Sequence, residues 1–314
     1  MARSSSSPVA ASGTATNAVP RRSLALHLLY SLRPGQWSKN LVIFAGLLFG
    51  RRLFDGDAVL AAISAFVVFC VLSGVVYLVN DVADRETDRL HPLKAHRPIA
   101  SGALPVPIAI YAAVALGVAG LAGALAIGGH FAAVAAAYLV LQLAYSGVLK
   151  HIVILDVLTI AIGFVLRAVG GAVAVNVEIS RWLLVCTILL ALFISLAKRR
   201  HEIVLLANGA TSHRPILGEY SAYLLDQMIG VVTASTLISY VFYTISPETV
   251  EKFDTQWLGL TIPFPLYGIF RYLYLVHQRD GGGSPADLLL TDRPLLACVA
   301  LWAIAVALII YRSA

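Results

Sequence analysis

An all-α integral membrane protein, a bundle of nine transmembrane helices, is the fold class this sequence predicts. Three observations lead there. Hydrophobic residues make up 59% of the 314 residues and charged residues only 13%, about half the charged fraction that a soluble domain presents to water. Mean hydropathy is +0.82, and apolar stretches recur at the length that crosses a hydrocarbon core, about 20 residues. Lysine and arginine are distributed unevenly between the segments that join those stretches. The length alone would allow two soluble domains, and the hydropathy excludes them. Membrane lipids are the expected surroundings, and nucleic acid is not an expected partner.

Residues 1–22 are a Ser/Ala-rich start without the apolar core of a signal peptide, and are expected to form a disordered cytosolic tail. Residues 23–314 are expected to be one helical domain. The spans lie near 28–50, 57–80, 105–128, 131–149, 152–176, 181–197, 223–246, 257–277 and 294–312. The first is the least regular, because Arg33-Pro34 and Lys39 interrupt it. Backbone facing lipid must be helical, since an unpaired peptide group there finds no water. With the N-terminus in the cytoplasm, 16 of the 23 lysines and arginines fall in inside segments and 5 outside, while Arg167 and Arg271 lie within spans. That bias sets the orientation and predicts a multi-pass protein of the cell inner (plasma) membrane. Cys70, Cys186 and Cys298 lie in apolar stretches without metal-ligand spacing, as inert buried thiols do. The histidines show no zinc-site spacing either.

The segment after the second span carries the chemistry. Asn80, Asp84 and Asp88 are spaced i, i+4, i+8, with Asp81 beside them. On a continuing helix their oxygens fall on one face, and such a face repels itself unless a cation sits among the carboxylates. Magnesium is held by one or two carboxylates together with substrate phosphates. Lys94 and Arg97 follow closely and suit the outer oxygens of the same anion. Topology alone would explain the basic residues here, but not a run of aspartates beside them.

Asn80-Asp81-x-x-Asp84-x-x-x-Asp88, closing on Arg97-Pro98-Ile99-Ala100-Ser101-Gly102, resembles the first signature of the UbiA superfamily of intramembrane transferases. The resemblance runs over nearly the whole chain from Arg33 onward. It implies a nine-helix bundle with a cytoplasmic-side site in which magnesium (Mg2+) activates a pyrophosphate leaving group. Asn80, Asp81, Asp84 and Asp88 would be the metal residues, and Asp84 and Asp88 would be required for catalysis.

Most of that superfamily carries a second acidic motif at the cytoplasmic end of the sixth span. This chain has Lys198-Arg199-Arg200-His201-Glu202 there, a basic cluster able to grip phosphate without a second metal. Arg33-Pro34-Gly35-Gln36-Trp37-Ser38-Lys39-Asn40, Tyr145-Ser146 with Lys150-His151 and Asp156, Phe164-Val165-Leu166-Arg167-Ala168-Val169-Gly170-Gly171, and Arg271-Tyr272 followed by Asp280-Gly281-Gly282-Gly283 resemble the decaprenyl-phosphate phosphoribosyltransferase branch. That resemblance implies transfer of 5-phosphoribose from phosphoribosyl pyrophosphate to a polyprenyl phosphate. Lys39, Lys94, Arg97, Tyr145, Lys150, Arg167, Lys198 and Arg199 would bind substrate. Asp156 would bind ribose hydroxyls or stabilise the charge at the anomeric carbon.

Arg167 lies within a span, where an ionisable residue is a functional candidate. Pairing with a carbonyl or with Glu178 is the plainer alternative, and Arg271 carries the same two readings. Two other classes remain at this point: a prenyltransferase acting on an aromatic acceptor, which would need the missing second acidic motif, and a transporter or non-catalytic lipid-binding protein, of which a transporter would more often show inverted repeats. A homo-oligomer is compatible with this fold.

Overall fold

The computed structural model describes residues 23–91, 94–207, 215–279, 288 and 291–312. The tail expected at 1–22 and the glycines at 281–283 lie outside them. Within the described residues every regular element is helical.

Helix α1 (Leu24–Ser31) opens on Ser23, whose side chain accepts from the Leu26 amide. It ends because a proline disfavours the helical region for the residue before it: Arg33, preceding Pro34, turns left-handed at φ 53°. A 3-10 segment (Pro34–Phe44) and the short α2 (Ala45–Phe49) follow. The first expected crossing is therefore not one α-helix but three pieces. The 3-10 segment lies so close to the later helix Leu155–Ala174 that a Cβ on Gly171 would overlap the Ile43 carbonyl.

Then come α3 (Gly56–Ala83), α4 (Arg85–Leu90), α5 (Pro98–Ser101), α6 (Val106–Ile127), α7 (Gly129–Gly147), α8 (Leu155–Ala174), α9 (Arg181–Ala207), α10 (Ala222–Ile245), α11 (Pro247–Phe253), α12 (Pro263–Gln278) and α13 (Arg293–Arg312). Seven of these, α3, α6 to α10 and α13, are long and apolar enough to cross a membrane. The eighth expected crossing is divided like the first. A 3-10 turn (Trp257–Thr261) precedes α12, whose 16 residues start on Pro263.

Helix α3 packs on α6, α8 on α7 and α9, α9 on α10, and α12 on α13. One apolar cluster joins α3, α6 and α7 through Phe69, Leu72, Ala124, Phe131 and Tyr138. Another joins α9, α10 and α12 through Phe193, Leu196, Ile229 and Ile269. The C-terminal ends of α3 and α9 and the N-terminal end of α8 meet at one end of the bundle, tied by the polar contacts that follow.

Candidate active site

Helix α3 runs through Asn80 and Asp81 and ends at Ala83. Asp84 is the one irregular residue before α4, and helical bonds from Asp84 N to Asn80 O and from Asp88 N to Asp84 O carry the path across it, both 2.8 Å. The aspartates thus stay on successive turns, as their spacing requires, but they divide between partners. Asp81 and Asp88 are buried and share Arg97, whose Nη1 donates to Asp88 Oδ2 at 2.6 Å and to Asp81 Oδ1 at 3.1 Å. Arg33 also donates to Asp81 and lies over the Tyr77 ring, 4.7 Å from its centroid. Lys94 Nζ is 3.9 Å from Asp88. Asp84 turns aside and accepts from Lys150 Nζ at 3.0 Å.

Among the described residues no three His, Cys, Asp or Glu side chains converge closely enough to hold a metal between them. The donor set nonetheless fits magnesium: three carboxylates and the Asn80 amide are hard oxygen donors, and this ion needs only one or two protein carboxylates when phosphates supply the rest. Arg33, Arg97 and Lys150 neutralise the carboxylates here. These cations would be freed toward phosphate once another cation took the carboxylates.

A second cluster lies toward the C-terminal end of α9. Asp156 is fully buried, with Oδ2 accepting from Arg199 Nε and Oδ1 from the Tyr220 hydroxyl, both at 2.8 Å. Arg199 continues to Glu202 at 2.7 Å and to the Tyr145 hydroxyl at 3.4 Å. Burial pushes the Tyr220 hydroxyl up to about 12, so it remains a donor at neutral pH. It also accepts from the amide of Ile154 at 2.7 Å, pinning a β-branched residue at φ 69°, a conformation rare for that side chain. The sequence placed Asp156 against ribose and Arg199 against phosphate; here the two hold each other, and both Asp156 oxygens are used. Lys198 is half-buried, 3.9 Å from Glu202. Lys39 is half-buried in the 3-10 segment.

Arg167 pairs with neither a backbone carbonyl nor Glu178. Its Nε donates to Asn40 Oδ1 and its Nη2 to the Tyr138 hydroxyl, both at 2.7 Å. Arg271, by contrast, is a structural staple, donating to both oxygens of Asp292 at 3.2 and 2.8 Å.

Sequence reasoning missed Arg33, Asn40, Tyr138 and Tyr220 as site residues. Arg33 and Asn40 stood in the motif quoted for Lys39, which was the available signal. Tyr138 and Tyr220 carried none.

The model of the UbiA prenyltransferase family matches residues 40–287. The chain belongs to this family. Among characterised relatives, it is 34% identical over 307 residues to a decaprenyl-phosphate phosphoribosyltransferase of Mycolicibacterium smegmatis, covering 94% of this chain and 95% of the relative. It is 33% identical over 297 residues to the enzyme of the same name from Corynebacterium glutamicum, covering 93% and 89%. The UbiA fold is also found in a homolog from Archaeoglobus fulgidus solved bound to GPP and Mg2+. The two superpose with a TM-score of 0.68 at 20% identity, over 92% of this chain and all of that one. This UbiA protein is thus an all-helical, multi-pass membrane protein of the transferase type.

Proposed function

We propose that this protein transfers 5-phosphoribose from phosphoribosyl pyrophosphate to a polyprenyl phosphate of the decaprenyl class, releasing pyrophosphate. The observation that carries the reading is the full-length similarity to decaprenyl-phosphate phosphoribosyltransferases. The basic end of α9 supports it, since an aromatic-acceptor member of the superfamily would carry a second acidic motif there. Residues 23–314 act as one transferase domain of nine crossings. The N-terminus and the site face the cytoplasm of a plasma-membrane protein.

The bond that breaks joins the anomeric carbon to the diphosphate, which leaves with the electron pair. The bond that forms joins that carbon to an oxygen of the lipid phosphate. That oxygen is already anionic, so no general base is required. Bound magnesium would supply charge neutralisation for the leaving diphosphate, and Asn80, Asp81, Asp84 and Asp88 are the residues to hold it. Arg97, Lys94 and Lys150, now on those carboxylates, would grip phosphate oxygens together with Lys39 and Lys198. A donor with phosphates at both ends suits this many cations around one acidic cluster. Asp156 acts as a positioning residue: by fixing Arg199 beside the Tyr145 hydroxyl, it holds that guanidinium in place for phosphate oxygens of the donor.

The test is incubation of the purified chain with magnesium, ribose-labelled phosphoribosyl pyrophosphate and decaprenyl phosphate, followed by lipid extraction. Label is expected in the organic phase only when the lipid phosphate is present, and chelation is expected to stop the transfer. Prenylation of 4-hydroxybenzoate from a polyprenyl diphosphate, with no ribose transfer, would overturn the assignment and leave the fold untouched.

A further inference from the structure

Five charged side chains are buried among the described residues: Asp81, Asp88, Asp156, Arg167 and Arg199. Four of them meet an opposite charge, Asp81 and Asp88 on Arg97 and Asp156 on Arg199. Arg167 is the exception, since its hydrogen bonds go only to the neutral Asn40 amide oxygen and Tyr138 hydroxyl. A guanidinium kept inside a membrane span without a counter-charge is costly. The surrounding contacts keep it there in a fixed pose. It lies 4.7 Å from the centroid of Tyr138 and 5.1 Å from that of Phe164, and Asn40 is itself anchored on Cys70 and Ser73 of α3. The two bonds to Asn40 and Tyr138 engage only two of the five N–H donors that a guanidinium carries.

We propose that Arg167 is the anchor for the phosphate of the lipid acceptor, the anion its site lacks. The proposal rests on the phosphoribosyl-transfer reading for the identity of the acceptor, and on position for the rest. Ser73, Tyr77 and Asp81 recur at i, i+4 and i+8 on one stripe of α3, so the Ser73–Asn40–Arg167 group lies about 12 Å deeper than Asp81 along that helix. In a displacement at the anomeric carbon the entering oxygen comes from the face opposite the departing group. With the diphosphate at the carboxylate mouth, the entering phosphate belongs on the deeper side, where Arg167 stands. The same depth separates the two kinds of phosphate. A water-soluble donor meets lysines and arginines at the mouth, whereas Arg167 lies over the Tyr138 and Phe164 rings, and Tyr138 packs in turn on Phe69, surroundings suited to the first isoprene units of a lipid.

Binding to the purified full-length chain in nanodiscs, with chelator present and no donor, tests the anchor separately from turnover. Labelled decaprenyl phosphate is compared with decaprenol on wild type, Arg167→Gln and Arg167→Lys. Wild type is expected to prefer the phosphate at least tenfold, Arg167→Gln to lose that preference, and Arg167→Lys to retain part of it. In turnover, Arg167→Lys is expected to raise KM for the lipid phosphate with KM for phosphoribosyl pyrophosphate within twofold of wild type. An undiminished preference in Arg167→Gln, or a KM rise confined to the donor, overturns the proposal. If Arg167→Gln does not fold, Tyr138→Phe, which removes one bond holding the guanidinium, replaces it and is expected to reduce the preference severalfold; no reduction overturns the proposal. Should the chain bind the lipid phosphate through Arg167 yet transfer no ribose, the reaction assignment fails and the anchor stands.

Discussion

Asp84 and Asp88 sit four residues apart and do different structural work, which lets their contributions be separated. Asp84 is 43% exposed, and its partner Lys150 16%, so their ion pair contributes about 0–1 kcal/mol to stability. Asp88 is 3% exposed beneath Arg97, which is 28% exposed and also holds Asp81. Replacing Asp88 therefore costs more than breaking the exposed pair but less than the roughly 3–5 kcal/mol of a fully buried pair left half-empty. Asp84→Asn is therefore expected to lower kcat by about 100-fold or more, the scale of a lost electrostatic contact to the reacting charge, with little change in melting temperature. Asp88→Asn is expected to lose both activity and stability. Activity measured beside thermal unfolding checks both, and an Asp84→Asn enzyme within twofold of wild type removes that residue from the mechanism. The aspartate spacing was legible in the sequence because helical periodicity is local. The partners were not. Asn40 and Arg167 are 127 residues apart in the chain and Asp156 and Tyr220 are 64 apart, and no periodicity joins residues so distant. For the same reason Asp156 read as a free carboxylate: only the packed bundle shows Arg199 and Tyr220 using both of its oxygens.

The long apolar helices were legible because each is one uninterrupted run, and α3, α6 to α10 and α13 follow from length and hydropathy alone. The divided elements were legible only as irregularity. Pro34 announces a break, but the 3-10 path after it depends on how closely Gly171 lets that segment approach α8. The last two helices show another feature that hydropathy misses. Arg271 of α12 holds Asp292, which also accepts from the Leu295 amide at the start of α13 at 2.9 Å, so one carboxylate both caps α13 and fastens it to α12. The bond from Arg271 holds the Asp292 carboxyl below its ordinary range. A depressed carboxylate contributes stability that is complete above its unfolded pKa, about 3.9, and is lost as pH falls through the lower folded value. Wild type is expected to melt above Asp292→Asn at neutral pH, with the difference shrinking only below about pH 4. Thermal unfolding of both proteins across that range is the measurement, and a pH-independent difference would assign the effect to packing instead.

For the molecule as a whole, the proposed orientation makes the two ends chemically distinct. One end gathers the aspartates of α3 and α4 with the basic end of α9, and the other carries α11. Two exposed acidic residues mark them: Glu86 of α4, with a side chain 74% exposed, and Glu251 of α11. Because α3 and α10 run in opposite senses through the membrane in this reading, the two residues must lie on opposite sides. The proposed orientation, drawn from a lysine and arginine bias of 16 inside against 5 outside, puts Glu86 in the cytoplasm. The proposed donor, a highly charged soluble phosphosugar, can reach the carboxylates only from the side that Glu86 occupies, so orientation decides which compartment supplies it. Glu86→Cys and Glu251→Cys, each labelled in intact cells with a membrane-impermeant maleimide, test this. Cys70 and Cys298 are buried and Cys186 is half-buried, which keeps the background low. Glu251→Cys is expected to label in intact cells, and Glu86→Cys only after permeabilisation. The reverse pattern would put the site on the outer face and require the donor to be available there, and labelling of both positions in intact cells would break the antiparallel reading of α3 and α10 itself.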